Sequence, residues 1–379
     1  MAYLGENIKN LGFGLMRLPR KGEEFDIEQI KQMVDLFMEA GCTYFDTAWA
    51  YKGSEDAIRQ ALVERYPRDS FQLATKMAAW VGCKTREDAI RQFDESLKNT
   101  GAGYFDFYLL HNLGEHRTQV FDKFELWDWA AEQKAKGLIR HFGFSFHSTP
   151  EVLDEILTAH PEVEFVQLQI NYADWENPAI QSRAVYETAR KHGKSVVIME
   201  PVKGGLLAAP PEPVLKVLKE AEPEMSAASW AVRFAAGLDG LITVLSGMSD
   251  LDQMKDNLSY MRDFTGLTDR EKDVLERARE ELAKIPTVPC TKCDYCAKVC
   301  PQNIGVSATF TAANMLTLYG NLKAAQGQEA WLVGGHGKAN ALECIKCGAC
   351  ESVCPQHISI RDELEKAAKA LELVPAKKD

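Results

Sequence analysis

The feature that most constrains the fold of this chain is a regular alternation of short apolar runs with stretches of helical spacing. Eight apolar runs occur within about 260 residues, and a helical stretch separates each run from the next. This order predicts an α/β fold, and eight such units have the size of a closed TIM (β/α)8 barrel. An open doubly wound sheet usually carries a G-x-G-x-x-G turn after its first strand, and no such turn follows the first run here. The predicted strands begin near residues 11, 43, 71, 107, 139, 165, 195 and 241.

Length and composition leave room for a second unit after the barrel. The chain has 379 residues, of which 46% are hydrophobic and 26% are charged. A globular barrel of the predicted size leaves about 90 residues over. We predict a barrel domain over residues 1–284 and a second domain over residues 285–379, which begins with a linker that contains two prolines.

Charge and hydropathy exclude several kinds of partner. The formal net charge is −11, which argues against nucleic acid or an anionic membrane surface as the main partner. No run of about 18 apolar residues is present, and the first residues lack a basic region followed by an apolar core. We therefore expect a cytoplasmic protein with no nucleic-acid and no membrane partner.

Three successive apolar runs end on residues that can hold or move a proton. The second, third and fourth runs end on Asp46, Lys76 and His111, and Tyr51 follows Asp46 by five residues. Parallel neighbouring strands would gather these four side chains at one end of the barrel. Each residue alone is more often a helix cap, a packing residue or a solvated loop end. Their joint occurrence at strand ends favours a catalytic site.

The four residue types suit proton transfer to a carbonyl oxygen. A phenol is a weak acid at neutral pH, and a neighbouring ammonium stabilises its phenolate form and so lowers the phenol pKa. Lys76 is the candidate for that cation, and Asp46 would hold it in place. His111, kept neutral, would donate to a carbonyl oxygen and orient it beside Tyr51.

Five short motifs share their order and spacing with a known enzyme family. They are Phe45-Asp46-Thr47-Ala48 with Tyr51 and Gly53-Ser54-Glu55, then Ala74-Thr75-Lys76, Leu109-Leu110-His111-Asn112, Gly143-Phe144-Ser145, and Met199-Glu200-Pro201-Val202-Lys203-Gly204-Gly205. In these motifs the chain resembles the aldo/keto reductases over residues 1 to about 284. The resemblance implies a TIM barrel that binds an extended nicotinamide cofactor without a Rossmann fold, with Asp46, Tyr51, Lys76 and His111 as its catalytic tetrad.

The same resemblance implies where the nicotinamide cofactor binds. Ser145 and Gln169 match the family's contacts to the nicotinamide carboxamide, although Phe146 stands where an Asn often follows the Ser. Met199 stands where many members stack a Tyr on the nicotinamide ring. The full set of predicted cofactor-contacting residues is Ser145, Gln169, Met199, Pro201, Ser246, Gly247, Ser249, Gln253 and Asn257.

A helix start after the eighth strand is the candidate site for the cofactor phosphates. Ser249 and Asp252 have the spacing of a capping box, and the backbone N–H groups at such a start can receive phosphate. An ordinary helix cap explains Ser249 equally well. Asp250 and Asp252 would repel the 2′-phosphate of NADPH, whereas Lys255 would attract it. The sequence leaves NADH and NADPH open.

Eight of the ten cysteines crowd into the second domain as two copies of one run. Each copy has the spacing C-x2-C-x2-C-x3-C-P, which is typical of [4Fe–4S] ligation, so we predict two [4Fe–4S] clusters. Zinc is the alternative, but zinc sites do not need a third cysteine at the same step or a proline after the fourth. In two-cluster ferredoxins the fourth cysteine of each run ligates the other cluster. The predicted ligand sets are Cys290, Cys293, Cys296 and Cys354 for one cluster, and Cys344, Cys347, Cys350 and Cys300 for the other.

Helical stretches around these runs make the second domain similar to a small α-helical ferredoxin. The chain is thus interpreted as an iron–sulfur oxidoreductase that reduces a small-molecule carbonyl or oxidises the matching alcohol. In one alternative the clusters are only structural; in another the chain is a non-enzymatic redox sensor or electron-transfer subunit. Hydride transfer moves two electrons whereas each cluster passes one, so a flavin is a candidate adaptor and a redox partner protein a candidate acceptor.

Overall fold

The described strands form a closed barrel and one short hairpin. The computed structural model describes residues 4–114, 117–178 and 180–374. Within these residues, ten strands occur, of which eight form the barrel and two the hairpin. In chain order they are β1 (Leu11–Gly14), β2 (Arg20–Lys21), β3 (Glu24–Phe25), β4 (Tyr44–Asp46), β5 (Gln72–Met77), β6 (Phe105–Leu113), β7 (Ile139–Phe146), β8 (Phe165–Gln169), β9 (Ser195–Met199) and β10 (Leu241–Ser246).

The barrel is closed, and all of its strand pairs are parallel. Its strands follow the order β1-β10-β9-β8-β7-β6-β5-β4, and β4 pairs with β1. All eight predicted strands are present, so the predicted TIM barrel is confirmed. The antiparallel hairpin of β2 and β3 was not predicted, because each of its strands has only two residues.

Sixteen α-helices occur in the described parts of the chain. They are α1 (Ile27–Glu39), α2 (Ser54–Ile58), α3 (Arg86–Thr100), α4 (Thr118–Lys123), α5 (Leu126–Ala135), α6 (Pro150–Ala159), α7 (Ser182–Lys191), α8 (Glu212–Ala221), α9 (Ala227–Ala236), α10 (Leu251–Met261), α11 (Asp269–Ala283), α12 (Tyr295–Val299), α13 (Val306–Tyr319), α14 (Leu322–Leu332), α15 (Ala349–Ser352) and α16 (Ile360–Ala370). A π-helical stretch, Arg59–Val63, continues α2. Short 3-10 helices lie at Leu15–Arg17, Arg68–Ser70, Lys203–Ala208, Gly334–His336 and Ala341–Glu343.

The barrel interior explains how the strands place polar residues. Successive side chains of a strand point to opposite faces, so residues two apart share a face. Tyr44 lies inside the barrel with Phe107, their ring centres 5.0 Å apart. Asp46 follows Tyr44 by two residues, and His111 follows Phe107 by four. The inner faces of β4 and β6 therefore carry Asp46 and His111, two residues of the predicted tetrad, at or near the ends of these strands.

The chain forms two compact units that are not consecutive segments. The first contains residues up to Leu207 together with Met225–Lys272, and the second contains Ala208–Glu224 together with the chain from Asp273 onward. Helix α8 is thus part of the second unit although it precedes α9 and β10 of the barrel. The domain boundary predicted after residue 284 stays a prediction.

The second unit is built from helices around two apolar clusters. One cluster contains Ile304, Phe310 and Leu364 together with partly buried cysteines, and the other is formed largely by alanines of α13, α14 and α16. These elements agree with the predicted α-helical ferredoxin-like class. None of the helices described here is both long enough and apolar enough to span a membrane.

Candidate active site and cysteine cavities

A buried ion pair joins the ends of two neighbouring barrel strands. Asp46 ends β4, Lys76 lies on β5, and the two side chains are 3% and 1% exposed. The Lys76 ammonium donates to Oδ1 of Asp46 and, at 2.8 Å, to the carbonyl oxygen of Thr47. Burial raises the pKa of Asp46, and the ammonium opposes that rise. The carbonyl oxygen of Thr47 thus helps to hold the pair in place, in addition to the attraction between its two charges.

Tyr51 lies beside this pair. The Lys76 Nζ atom is 5.2 Å from the centre of the Tyr51 ring, and the His111 ring meets that ring edge-on at 5.7 Å. Burial raises the pKa of Tyr51, Lys76 lowers it, and the carboxylates of Asp46 and Glu200 raise it further. Lys76 acts in the predicted direction, but the net pKa lies above the usual value because burial is the largest effect.

His111 is held as a neutral imidazole. Burial is the main cause that lowers its pKa well below the usual value, and the charges of Lys76, His147 and Arg117 lower it further. Its Nδ1 atom is buried without a hydrogen-bond partner among the described residues. The indole N–H of Trp80 donates to the His111 carbonyl oxygen at 2.8 Å, which fixes the backbone at this strand end.

Residues predicted to contact the nicotinamide lie at the same ends of later strands. Ser145 is buried near the end of β7, and its Oγ accepts the N–H of Asn112 at 2.7 Å. Gln169 ends β8 and pairs in register with Met199, which ends β9. The Gln169 Oε1 atom is 3.3 Å from Nδ1 of His147. These positions and the buried Pro201 fit a flat polar ring near the tetrad.

The helix start after β10 differs from the prediction. Ser246 ends β10, and the N-cap of α10 is Asp250, so the predicted capping box of Ser249 and Asp252 is wrong. Asp250 is the N-cap residue because its carboxylate accepts the N–H of Gln253 at 2.8 Å. The Ser249 N–H already donates to Oε1 of Gln253 at 2.9 Å.

In this arrangement the phosphate end fits less well than the nicotinamide end. The Leu251 N–H donates to the side chain of Gln29 at 3.3 Å, so it too has an acceptor. A phosphate would therefore have to displace side-chain oxygens from several N–H groups. Asn257 is buried nearby on α10, and its Oδ1 has no partner among the described residues. Gly247 follows β10 directly and leads into this turn.

Several residues at this end of the barrel were missed by sequence reasoning. Gln167 on β8 lies close enough to Asp46 to lower the pKa of that carboxyl, although burial of Asp46 outweighs the effect. Glu200 carries charge close enough to act on Tyr51, and Arg117 acts on His111. Glu200 directly follows a predicted strand end, which was a usable signal. Arg117 lies in a loop and gave none.

Of Trp49, Trp80 and Trp175, only Trp80 places its ring against the ring of a tetrad residue in the described contacts. Its ring centre is 6.1 Å from that of His111. Trp49 donates to Glu95 at 2.7 Å, and Trp175 packs on Phe234 at 5.5 Å between ring centres. Trp175 is therefore a packing residue.

The eight crowded cysteines surround two cavities of the second unit. Each cavity is partly open to solvent and has about 340 Å³ of space that protein atoms do not fill, including that open part. In each, three cysteines of one run meet the fourth cysteine of the other run. The first cavity is lined by Cys290, Cys293, Cys296 and Cys354, and the second by Cys300, Cys344, Cys347 and Cys350.

The cavities suit a bulky group better than a single ion. Within residues 4–114, 117–178 and 180–374, no three His, Cys, Asp or Glu side chains converge closely enough to hold one metal ion. A zinc ion would need four ligands about 2.0–2.3 Å from one centre. Val306 lines both cavities, and apolar residues such as Phe310 and Leu364 complete their walls. Thiolates around an apolar space are the ligand set of an iron–sulfur cluster.

Comparison with known proteins now identifies the barrel. The model of the aldo/keto reductase family matches residues 10–280. The chain belongs to the aldo/keto reductase family. The resemblance carried by the motifs is thereby confirmed. The model of a 4Fe-4S dicluster domain matches residues 283–365 of this aldo/keto reductase.

Individual relatives are distant. The aldo-keto reductase str7 of Strobilurus tenacellus is 30% identical over 214 residues, which cover 53% of this chain and 60% of that relative. The chain spans about 60% of the length of such curated relatives.

Solved structures share the barrel. The holo form of aldo-keto reductase AKR11C1 from Bacillus halodurans is 26% identical, with a TM-score of 0.56 over 73% of this chain and 95% of that one. An aldo/keto reductase from Klebsiella pneumoniae, solved in complex with NADP and acetate, is 20% identical, with a TM-score of 0.57 over 71% of this chain and 91% of that one. The likeness to the second shows the fold alone.

Proposed function

We propose that this aldo/keto reductase reduces a small-molecule carbonyl with NADPH or NADH, or oxidises the matching alcohol, and that Tyr51 is the general acid. One observation carries the proposal: a buried ammonium, Lys76, fixed by Asp46 beside the Tyr51 phenol and the neutral His111. A structural ion pair would not need a phenol beside it, or an imidazole whose Nδ1 atom has no partner among the described residues. The pattern is that of a site built for proton transfer.

A bound nicotinamide would supply the hydride. Ser145 and Gln169 are proposed to hold its carboxamide, since both present polar side chains at the ends of β7 and β8. Met199 would give its ring an apolar neighbour, and Pro201 would support that contact. At the phosphate end, Ser246, Gly247, Ser249, Gln253 and Asn257 are proposed to line the cofactor path.

Tyr51 would donate its phenolic proton to the carbonyl oxygen of the substrate as the carbon is reduced. Because burial raises the pKa of Tyr51, the phenol is protonated throughout the neutral range and is ready to donate. The phenolate left behind would be stabilised by the Lys76 ammonium. Asp46 keeps that ammonium in place, and in the oxidation direction the same phenolate would accept the proton.

His111 would orient the substrate. Its lowered pKa keeps the imidazole neutral, so one ring N–H is available for donation to the carbonyl oxygen. The unpartnered Nδ1 shows that the described residues do not satisfy this ring completely. A polar substrate atom would supply the missing partner.

The choice between the two nicotinamides depends on charge at the start of α10. The carboxylates of Asp250 and Asp252 disfavour a 2′-phosphate, whereas the ammonium of Lys255 favours NADPH. Titration of the protein with each cofactor, followed by fluorescence quenching, decides between them.

For the second unit we propose two [4Fe–4S] clusters, one in each cysteine cavity. Cys290, Cys293, Cys296 and Cys354 would hold the first, and Cys300, Cys344, Cys347 and Cys350 the second. Apolar residues in the walls of each cavity support this assignment, because they reduce the access of water to a bound cluster. We also keep the proposal that residues 1–284 and 285–379 form separate domains.

The proposal is tested with Tyr51→Phe. We expect carbonyl reduction to fall by roughly 100- to 10,000-fold while nicotinamide affinity stays nearly unchanged, because only the proton donor is lost. Tyr44→Phe is the matched control, since it removes a buried hydroxyl that has no partner among the described residues. Steady-state kinetics and cofactor titration measure both effects.

Turnover of Tyr51→Phe within a few-fold of the wild type would remove Tyr51 from the mechanism. A wild-type protein that binds NADPH or NADH but turns over no carbonyl, with or without oxygen, would favour the redox-sensor or electron-transfer alternative.

A further inference from the structure

A guanidinium at the active-site end of the barrel has no carboxylate partner among residues 4–114, 117–178 and 180–374. Arg117 is partly buried at the start of α4, and its Cζ atom is 4.3 Å from the centre of the Trp80 ring. Among the residues that the structure describes, no carboxylate or carbonyl oxygen accepts a hydrogen bond from this guanidinium. Burial lowers its pKa, and no described carboxylate counters that effect.

Trp80 places this guanidinium next to the proposed site of reaction. The same indole donates to the His111 carbonyl oxygen at 2.8 Å, and its ring centre is 6.1 Å from the imidazole. Trp80 thus contacts both the guanidinium and His111. The positive charge of Arg117 also lowers the pKa of the His111 imidazole.

A partly buried guanidinium without a partner is costly, because it has lost part of its hydration. Proteins with a net charge of −11 also repel anions from a distance, so an anion needs a local cation to bind. The guanidinium offers parallel N–H donors in a planar fork that matches a carboxylate. An anionic ligand would satisfy this group.

Other charges near the site narrow where an anion can lie. The Lys76 ammonium already donates hydrogen bonds to Asp46 and to the carbonyl oxygen of Thr47. Glu200 carries negative charge on the side of Tyr51 and would repel an anion there. Arg117 is the other cation whose charge acts on His111, and it has no anionic partner among the described residues.

We propose that Arg117 binds a carboxylate of the substrate, so that the enzyme prefers aldehydes and ketones that carry a carboxylate over neutral carbonyl compounds. This inference rests on the proposed carbonyl reduction. In that reaction the carbonyl carbon gains a hydride from the nicotinamide, and the carbonyl oxygen gains a proton from Tyr51. The carboxylate itself does not react. Arg117 is thus a specificity residue.

The kinetic test compares acidic and neutral substrates of matched shape. We expect kcat/KM for 4-carboxybenzaldehyde to exceed that for 4-carbamoylbenzaldehyde by roughly 10- to 100-fold, since one charge-assisted bidentate contact separates them. Succinic semialdehyde against butanal repeats the comparison with a flexible chain. Arg117→Gln should abolish the preference, because it should lower kcat/KM for the acidic aldehydes more than for the neutral ones.

Two further variants separate a local contact from a general charge effect. Arg117→Lys keeps the charge without the planar fork and should keep part of the preference. Lys123→Gln removes a positive charge from the exposed end of the same helix and should leave the preference intact. A preference that survives in Arg117→Gln, or is lost equally in Lys123→Gln, would overturn the proposal.

A binding measurement decides the inference even if no carbonyl is turned over. Calorimetry with benzoate should show binding to the wild-type holoenzyme that weakens at least tenfold in Arg117→Gln, while the neutral benzamide should not distinguish the two proteins. Absence of turnover with this binding pattern would overturn the proposed reaction but support the carboxylate site. Benzoate binding that is absent from the wild type, or unchanged in Arg117→Gln, would overturn the site whether or not the enzyme is active.

Discussion

At the scale of single residues, the site depends on two charges that water does not reach. A buried ion pair adds little net stability, because desolvation of both ions offsets their attraction. Removal of one partner is different, since it leaves the other charge buried and alone. The Asp46–Lys76 pair is therefore better explained by its place beside Tyr51 than by stability.

This explanation predicts how stability and activity separate. Asp46→Asn and Lys76→Met should each destabilise the barrel by about 3–5 kcal/mol, because each leaves an uncompensated charge. The double variant should recover most of that loss, yet carbonyl reduction should stay lost in all three proteins. Denaturant titrations and steady-state kinetics on the same samples measure the two quantities. A double variant with near wild-type turnover would contradict the role given to the pair.

The residues of the site differ in how far the sequence predicts them. Strand alternation and the parallel order bring Asp46, Lys76 and His111 to one end of the inner face, so their proximity could be predicted. The direction of the net pKa shift of Tyr51 could not be predicted, because its burial depends on side chains from several strands. Arg117 gave no signal, since loop conformation decides where it lies.

At the scale of elements, one carboxylate ties a helix and two strands together. Glu164 directly precedes β8; its side chain accepts the N–H of Phe142 on β7 at 3.0 Å and pairs with Lys134 of α5 and His141. Burial of Glu164 favours its neutral form, but these partners together lower its pKa from 4.5 to about 2. The charged form is thus the one that stabilises this part of the barrel.

A group with a depressed pKa in the folded state contributes stability above its unfolded pKa and loses it as pH falls. Glu164→Gln should therefore cost on the order of 2–3 kcal/mol at pH 7, and the cost should shrink as pH falls from about 5 to 2. Glu155→Gln, on the exposed side of α6, is the control. Urea midpoints followed by tryptophan fluorescence measure the difference. A cost that does not change with pH would show that lost packing, not charge, is responsible.

Element existence was easier to predict from the sequence than element boundaries. The eight barrel strands are apolar runs that differ from their surroundings, and all were predicted. The start of α10 was misplaced by one residue, because Ser249 and Asp250 both have the chemistry of an N-cap and only the backbone geometry selects Asp250. Each strand of the β2–β3 hairpin has only two residues, which is too few to show the alternation of apolar and polar residues that predicts a strand.

At the scale of the whole molecule, the proposed function combines a two-electron reaction with clusters that pass one electron each. The proposed nicotinamide reaction moves a hydride, whereas a [4Fe–4S] cluster passes single electrons. A flavin works in both modes, and no flavin motif is evident in the sequence. We propose that the protein either takes a flavin from elsewhere or uses its clusters to communicate with a redox partner protein.

The cluster absorbance tests this idea directly. Under anaerobic conditions, NADPH or NADH alone should not bleach the reconstituted clusters, because no carrier splits the electron pair. Added flavin or a redox partner should then cause bleaching, which stopped-flow absorbance would follow. Prompt bleaching by the nicotinamide alone would defeat the adaptor idea. Clusters that no condition bleaches would favour the structural alternative.

Sequence patterns predict the second domain from cysteine spacing, yet they do not reveal that α8 belongs to the second unit. The sequence of residues 212–221 does not indicate which of the two cores buries Val214 and Leu218. Such membership depends on long-range contacts.

The interruption of the first unit by α8 has a consequence for biosynthesis. A ribosome that makes the chain from its N-terminus releases Ala208–Glu224 before the last barrel strand, β10, and long before the cysteine runs. At about 5–20 residues per second, α8 waits roughly ten to thirty seconds for the rest of its unit. Its apolar face is exposed on the nascent chain for that time, while the iron ligands have not yet been translated. Val214 and Leu218 of this helix can therefore be buried only after the chain from Asp273 onward has been translated.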